Sequence, residues 1–331
     1  MKESSKISPD LSSILDQYLM RLEKTLQTTG FREVHLIADK NSKKHILKIY
    51  DLGSKRARLA SLFFQIEKYF LSSVAKLSFE HIQFPRLLGS GRNYLIIEFV
   101  EREVFTRESI LDKKWSVEDT RLWVMALMEF QGIEMPGNLY PATRRLIGSL
   151  FPVVRLCQIL PKCRRILSVR DFISVFIIVL SYIMVWRSIE KKLVHYELHT
   201  SHFAPMKGKQ KMSLIDFELS YYKGDPLVDI LYYISIPIKR FREWSFQKEL
   251  LREYVKLSFS GGVHLSELFY RIRLILLMFH IVRYFEFVDV PNYREVYFEN
   301  LSILLDKKRF RQFYEDIFKV PPQIPGRKSV D

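Results

Sequence analysis

The sequence predicts an α+β chain in two lobes: a small N-terminal one with an antiparallel sheet and one main helix, then a larger, mostly helical one. Three observations lead there. A chain of 331 residues with 48% hydrophobic content can bury one large core or two modest ones. Apolar residues alternate on either side of a polar turn between residues 31 and 50, and beyond residue 117 their spacing is helical over most of the chain. Twelve glycines and thirteen prolines are below average usage, and the lack of any low-complexity run or fixed-period repeat excludes solenoids and linear arrays.

Leu11, Ile14, Leu15, Tyr18, Leu19, Leu22 and Leu26 recur at helical spacing, so 10–27 is expected to be one helix ending before Thr28, Thr29 and Gly30. Residues 31–38 and 45–50 read as strands of a hairpin around the polar run KNSKK, with Lys48 inside the second strand. A lysine in an apolar strand needs a partner, because burying an unpaired ammonium is costly. A helix over 54–76 follows and carries Glu67; Gln65 and Glu80 lie near it in sequence. An amphipathic helix is predicted over 117–132, and further helices over 245–257, 265–285 and 293–305, with Gly261, Gly262 and Pro291 as breaks; the tail 321–331 is expected to be mobile.

The run FISVFIIVLSYIMVW at 172–186 has fifteen residues without a charge. It falls short of the roughly 18 to 20 needed to cross a bilayer, so it reads as a buried core helix, with a span and an interfacial segment as alternatives. The first thirteen residues lack the apolar run of an export signal, which makes a cytoplasmic location the expectation. Cys157 and Cys163 read as two packed, reduced thiols.

The net charge is +15, and the segment 137–170 holds seven basic residues (Arg144, Arg145, Arg155, Lys162, Arg164, Arg165, Arg170) and no acidic one. Such a segment suits a negative partner: nucleotide phosphates, an anionic glycan or an anionic membrane surface to which the protein is peripheral. No zinc finger, RNP-type aromatic strand or helix-turn-helix pattern accompanies the charge, which argues against nucleic acid.

Three motifs carry the chemistry: HYELHTSH at 195–202, LIDFE at 214–218 and GDPLVDI at 224–230. Together they resemble the catalytic core of the aminoglycoside phosphotransferase and choline kinase-like family, which has the protein-kinase-like fold. That family's loop reads roughly HGDLHPGN, with a metal-binding aspartate in IDF or IDW nineteen residues after its first aspartate; Glu197 and Asp216 here are also nineteen apart. The resemblance implies a nucleotide-binding lobe over 1–98, a hinge over 99–105 and a helical lobe over 106–320, with a catalytic loop at 195–202 and a metal-binding strand at 213–218. The loop before the first hairpin strand offers only Gly30, far from a G-x-G-x-x-G phosphate cradle.

It also implies ATP or GTP with Mg²⁺, and a hydroxyl of a small molecule or glycan as acceptor. Lys48 would orient the nucleotide with Glu67 as its ion-pair partner, and the backbone of Glu98, Phe99 and Val100 would meet the adenine edge. Glu197 stands in the slot of the catalytic aspartate, one methylene longer; about 1.5 Å of displacement can cost about 10²-fold in rate. Asp216 would bind Mg²⁺. His202 occupies an asparagine slot at a second metal position, where imidazole suits Mg²⁺ poorly. His195 is assigned to holding the loop. Tyr196 replaces a glycine and would narrow the site or stack on substrate; His199, Asp225 and Asp229 are assigned to loop support or substrate contact.

Two alternatives stand beside this reading. A pseudokinase of the same fold would serve as a nucleotide-binding or scaffold module at an anionic membrane or a partner surface. A zinc site at His195, His199 and His202 would need 195–202 to be helical.

Overall fold

A computed structural model of the chain describes residues 9–53, 55–103, 116–135, 148–235, 239–259, 265–286 and 291–318. The end of the expected hinge at 104–105, Arg144, Arg145 and the tail 321–331 lie outside the described residues. The architecture is α+β, with an antiparallel sheet in the N-terminal part and a larger helical remainder. It divides into two compact units: Met1–Phe105, Ile133–Tyr140 and Thr200–Ser220 form one, and Thr106–Gly132, Pro141–His199 and Tyr221–Asp331 the other.

The first unit begins with α1 (Pro9–Gln17), β1 (Arg21–Thr28), β2 (Arg32–Ala38), β3 (Lys44–Tyr50), α2 (Ala57–Val74), β4 (Ile82–Gln83), β5 (Leu87–Ser90) and β6 (Tyr94–Glu98). The sheet runs β1-β2-β3-β6-β5 with antiparallel neighbours. The single helix expected over 10–27 is corrected to a helix and a strand. Leu22 and Leu26 fit helical spacing from Tyr18, but they also alternate. Leu19 sets the boundary, with φ +51, and the Met20 N–H then caps back to the Leu15 carbonyl at 2.9 Å.

Strand parity gives the sheet two working faces. Ile37, Leu47, Ile49, Tyr94 and Ile96 form a core with Leu11 and Ile14 of α1. The opposite face carries Arg32, Val34, Ile46, Lys48, Tyr50 and Ile97, since Arg32 pairs with Tyr50, Val34 with Lys48 and Ile46 with Ile97. Along α2 the buried positions Ala60, Phe63, Phe64, Glu67, Phe70, Leu71 and Val74 keep helical spacing, so Glu67 lies in the middle of an apolar stripe. After β7 (Lys192–Val194) of the second unit come β8 (Phe203–Pro205) and β9 (Met212–Leu214), which complete the first unit; β9 lies antiparallel to β8 and parallel to β4.

The second unit contains α3 (Val117–Gln131), α4 (Phe151–Ile159), α5 (Val169–Trp186), β10 (Tyr221–Gly224) paired with β7, α6 (Leu227–Ser235), α7 (Phe246–Ser258), α8 (Leu265–Glu286), α9 (Pro291–Leu305) and α10 (Lys307–Phe318). Its central helix is α8, where Leu274, Ile275, Leu276, Leu277 and Met278 are buried in succession, as in a helix with neighbours on all sides. Gly224 is dictated by β7, because a Cβ there would come within 2.2 Å of Val194 Cγ2.

The expectation of a buried helix at 172–186 is corrected. A capping box between Ser168 and Asp171 starts α5 three residues earlier and extends it to 18 residues, long and apolar enough by length and composition to cross a membrane. Only Val175, Ile178 and Tyr182 are buried on it. Its apolar composition and its length, short of a span, placed it inside, but no described residue covers its other face. The thiols also differ: Cys163 is buried, and burial raises its pKa to about 11, whereas Cys157 is exposed; both are free.

Candidate functional site

The first unit concentrates charge where its sheet should be apolar. Lys48 on β3 is 7% exposed, and its Nζ donates to both Glu67 oxygens at 2.7 and 2.8 Å and to Asp216 Oδ1 at 2.8 Å. Burial opposes its charge, but Asp216, Glu67 and Glu218 outweigh that and hold the ammonium above its ordinary pKa. Arg32, on the same face of β2, reaches Asp216 Oδ1 at 3.3 Å, pairs closely with Glu218 and donates to Gln27 at 2.8 Å. Three carboxylates thus meet two permanent cations, which leaves one negative charge in excess.

Tyr50 Oη lies 2.7 Å from both Glu67 and Glu218. One phenolic proton can be given to only one of them at a time. Burial raises the pKa of Glu67 above the usual carboxylate value, against the pull of Lys48. Asp216 behaves in the opposite way. Burial works against its charge, yet Lys48, His202 and Arg32 bring it well below the ordinary range, with His202 Nε2 3.6 Å from its Oδ2.

Local backbone aims these groups. β9 ends at Leu214, the Ile215 N–H donates to the His202 carbonyl at 3.0 Å, and Asp216 turns the chain with φ +66, in the left-handed region. Phe217, fully buried, stacks on Phe70 of α2 at 4.0 Å between centroids and meets Phe84 edge-on. That anchor fixes the carboxylates on either side of it. A cavity of about 570 Å³ is lined by Arg32, Val34, Ile46, Lys48 and Ile97 of the sheet, by Glu98, Phe99 and Val100, and by His202 and Asp216. Seven of the expected site residues therefore surround one cavity: Lys48, Glu67, Glu98, Phe99, Val100, His202 and Asp216. The Glu98 N–H donates to the Arg86 carbonyl, and its carboxylate takes the Arg86 guanidinium at 3.1 Å.

The other expected residues lie in the second unit. His195 to His199 follow β7 as irregular backbone, and 200–202 are turn residues, so the helix needed to align three histidines on zinc does not exist. Glu197 is half-buried, and its carbonyl accepts the His199 N–H at 2.8 Å. Asp229 on α6 organises the loop: it accepts the N–H of His195 at 2.9 Å, that of Tyr196 at 2.9 Å and the Gln131 amide at 3.3 Å. Tyr196 has φ +71, a backbone state that favours glycine, the residue the resembling family places there. Its ring is buried against Phe151 and its hydroxyl donates to the Gly148 carbonyl at 3.1 Å. This corrects the expectation that Tyr196 stacks on a substrate. Asp225 is bound by Arg271 through both oxygens at 2.7 and 3.1 Å.

Complete burial raises the Asp229 pKa to about 7 despite these N–H donors. Because the folded state holds this proton more tightly, the group's contribution to stability is full below about pH 4, the unfolded value, and declines as pH rises to about 7. Asp229→Ala strands two buried N–H groups at about 1–3 kcal/mol each and is expected to destabilise the fold by about 3 kcal/mol. Denaturation at pH 5 and pH 8 checks this: the deficit should be larger at pH 5, and a deficit growing with pH contradicts the assignment.

Sequence reasoning missed Arg32, Tyr50, Glu218 and Gln131. Parity would have found three of them, since Tyr50 is two residues from Lys48, Glu218 two from Asp216, and Arg32 two from the cross-strand partner of Lys48. Gln131 gave no signal, lying in sequence at the end of an ordinary amphipathic helix.

No protein-family model and no curated protein sequence matches the chain. Solved structures do match it in fold. Aminoglycoside phosphotransferase APH(2'')-Ib in its ADP-bound form aligns with a TM-score of 0.57 and 16% identity over 93% of this chain and 99% of that one. The GDP complex of aminoglycoside 2'-phosphotransferase-IIIa aligns with a TM-score of 0.60 and 13% identity over 93% and 98%. Plasmodium vivax ethanolamine kinase aligns with a TM-score of 0.57 and 14% identity over 95% and 98%. The chain thus has the fold of these phosphotransferases along nearly its whole length.

Proposed function

We propose that the protein is a nucleotide-dependent phosphotransferase that moves the γ-phosphoryl group of ATP or GTP to a hydroxyl of a small molecule or glycan. The observation that carries this reading is Lys48, a desolvated ammonium held between Glu67 and Asp216 at the wall of a cavity that Phe99 and Val100 also line. A buried strand lysine bonded to a helix glutamate is the arrangement phosphoryl transfer uses to grip nucleotide phosphates. Neighbours of the same fold hold ADP or GDP. A cytoplasmic location, where both nucleotides are available, goes with this reading.

In this assignment Lys48 grips the phosphates, Glu67 keeps the ammonium charged and aimed, and Phe99 and Val100 receive the base. The donor set suits Mg²⁺ at Asp216, a hard oxygen ligand in a cluster with one negative charge in excess; Glu67 and Glu218 are already engaged by Lys48, Tyr50 and Arg32. When bound, Mg²⁺ neutralises charge on the transferring phosphoryl group. Glu197 orients the acceptor hydroxyl, and Asp229 keeps its loop in place through the N–H groups of His195 and Tyr196. The pseudokinase reading rests on Glu197 and His202 in the two altered slots and on the Arg32 guanidinium at Asp216.

Thermal unfolding with and without Mg-ATP or Mg-GTP tests the binding step, since saturation at 100 times the dissociation constant adds about 2.7 kcal/mol. Nucleotide hydrolysis in the presence of candidate acceptors tests the chemistry. Glu197→Ala is expected to abolish turnover while leaving the thermal shift in place. Binding without turnover under any acceptor leaves the pseudokinase reading; neither binding nor turnover removes both.

A further inference from the structure

Among the described residues, α5 has two unlike faces. At 100° per residue, Ile173, Phe176, Ile177, Leu180, Ile183 and Met184 fall within an arc of about 120°, and they are 42% to 83% exposed. Val175, Ile178 and Tyr182 lie opposite and are at most 2% exposed. The Tyr182 hydroxyl donates to Asp225 at 3.2 Å. The helix is therefore fixed along one side, and a contiguous apolar stripe runs along the other. Exposed apolar patches of this kind mark interaction sites.

The charge around the stripe selects the partner. Arg187 continues the helix in line with the stripe, Arg170 borders its other end, and both are exposed. By helical angle the one acidic residue of the helix, Asp171, falls on the far side, where it caps Ser168. Exposed Lys162 and Arg164 precede the helix. A second copy docking face to face would set these basic ends against each other, whichever way the helices ran. A bilayer with anionic head groups accepts both features at once, apolar side chains between the acyl chains and guanidinium groups at the phosphates.

We propose that the outward face of α5 is a docking surface for an anionic lipid bilayer, with the helix lying in the plane of the interface. Crossing the bilayer would require Tyr182 to leave Asp225. None of the stripe residues lines the cavity around Lys48, so this inference does not depend on the catalytic reading.

The test is flotation of the full chain with vesicles of phosphatidylcholine alone or of phosphatidylcholine mixed with phosphatidylserine, at low and physiological salt. The expected result is binding to the mixed vesicles, weakened by salt, and at least about tenfold weaker for Phe176→Glu with Met184→Glu. Arg170→Gln with Arg187→Gln should lose the preference for phosphatidylserine. Both double variants replace exposed side chains, so circular dichroism and the melting temperature should match those of the parent. Equal binding by parent and Phe176→Glu/Met184→Glu overturns the proposal. So does failure to bind mixed vesicles at low salt, or a dimer in sedimentation that the glutamate variant dissolves without any vesicle binding.

Discussion

Lys48→Met is expected to destabilise the protein by about 3–5 kcal/mol and to abolish any thermal shift by Mg-ATP. The first effect follows from breaking a buried ion pair by removing one partner, which leaves the other charge unpaired in a low-dielectric setting. Glu67 is 1% exposed and has both oxygens on Lys48, so it cannot turn to water. Asp216 would lose its main neutralising neighbour as well. Urea denaturation at neutral pH reads the loss. Adding Glu67→Gln should recover part of it, because the stranded charge is then gone; a double variant worse than the sum of the two would contradict the pairing. Loss of the thermal shift in Lys48→Arg, where the charge stays, would show that the geometry of the ammonium is what matters.

Arg271→Met should cost a similar amount, about 3–5 kcal/mol, in the second unit. Its guanidinium is buried inside α8 and donates to both oxygens of Asp225 and to Glu267 at 3.1 Å, and Tyr182 of α5 reaches the same Asp225. One cation therefore joins α5, α8 and the GDPLVDI turn, and methionine fills a similar volume without its donors. If the loss measured by denaturation is below about 1 kcal/mol, Asp225 has found water and the network is not a structural joint. Arg271→Met with Asp225→Asn should be milder than Arg271→Met alone.

Periodicity made the regular parts of the fold legible. The hairpin, α2 and the long helices of the second unit fell within a few residues of their expected limits, because each has one dominant spacing. The start of the chain was not legible, since Leu22 and Leu26 satisfy two spacings and only the left-handed Leu19 separates them. α10 was passed over although Phe310, Phe313, Tyr314 and Ile317 recur at helical spacing, since charge dominates the segment. The exposure of α5 could not be read, because composition reports what a face is made of and not whether another element covers it. At the site, the buried lysine and the IDF motif were visible, and strand parity puts Arg32 on the face of Lys48, but its meeting with Asp216 across 184 residues of sequence could not be read.

The wall of carboxylates around Lys48 has a consequence for any anion that enters. An ammonium in bulk water must shed a tightly held hydration shell before it can touch a phosphate oxygen, and that penalty is subtracted from affinity. Here folding has already stripped the shell and replaced it with three fixed oxygens from Glu67 and Asp216. An incoming phosphate therefore exchanges one oxygen for another, and its grip is set by competition with Asp216 and not by dehydration of the lysine.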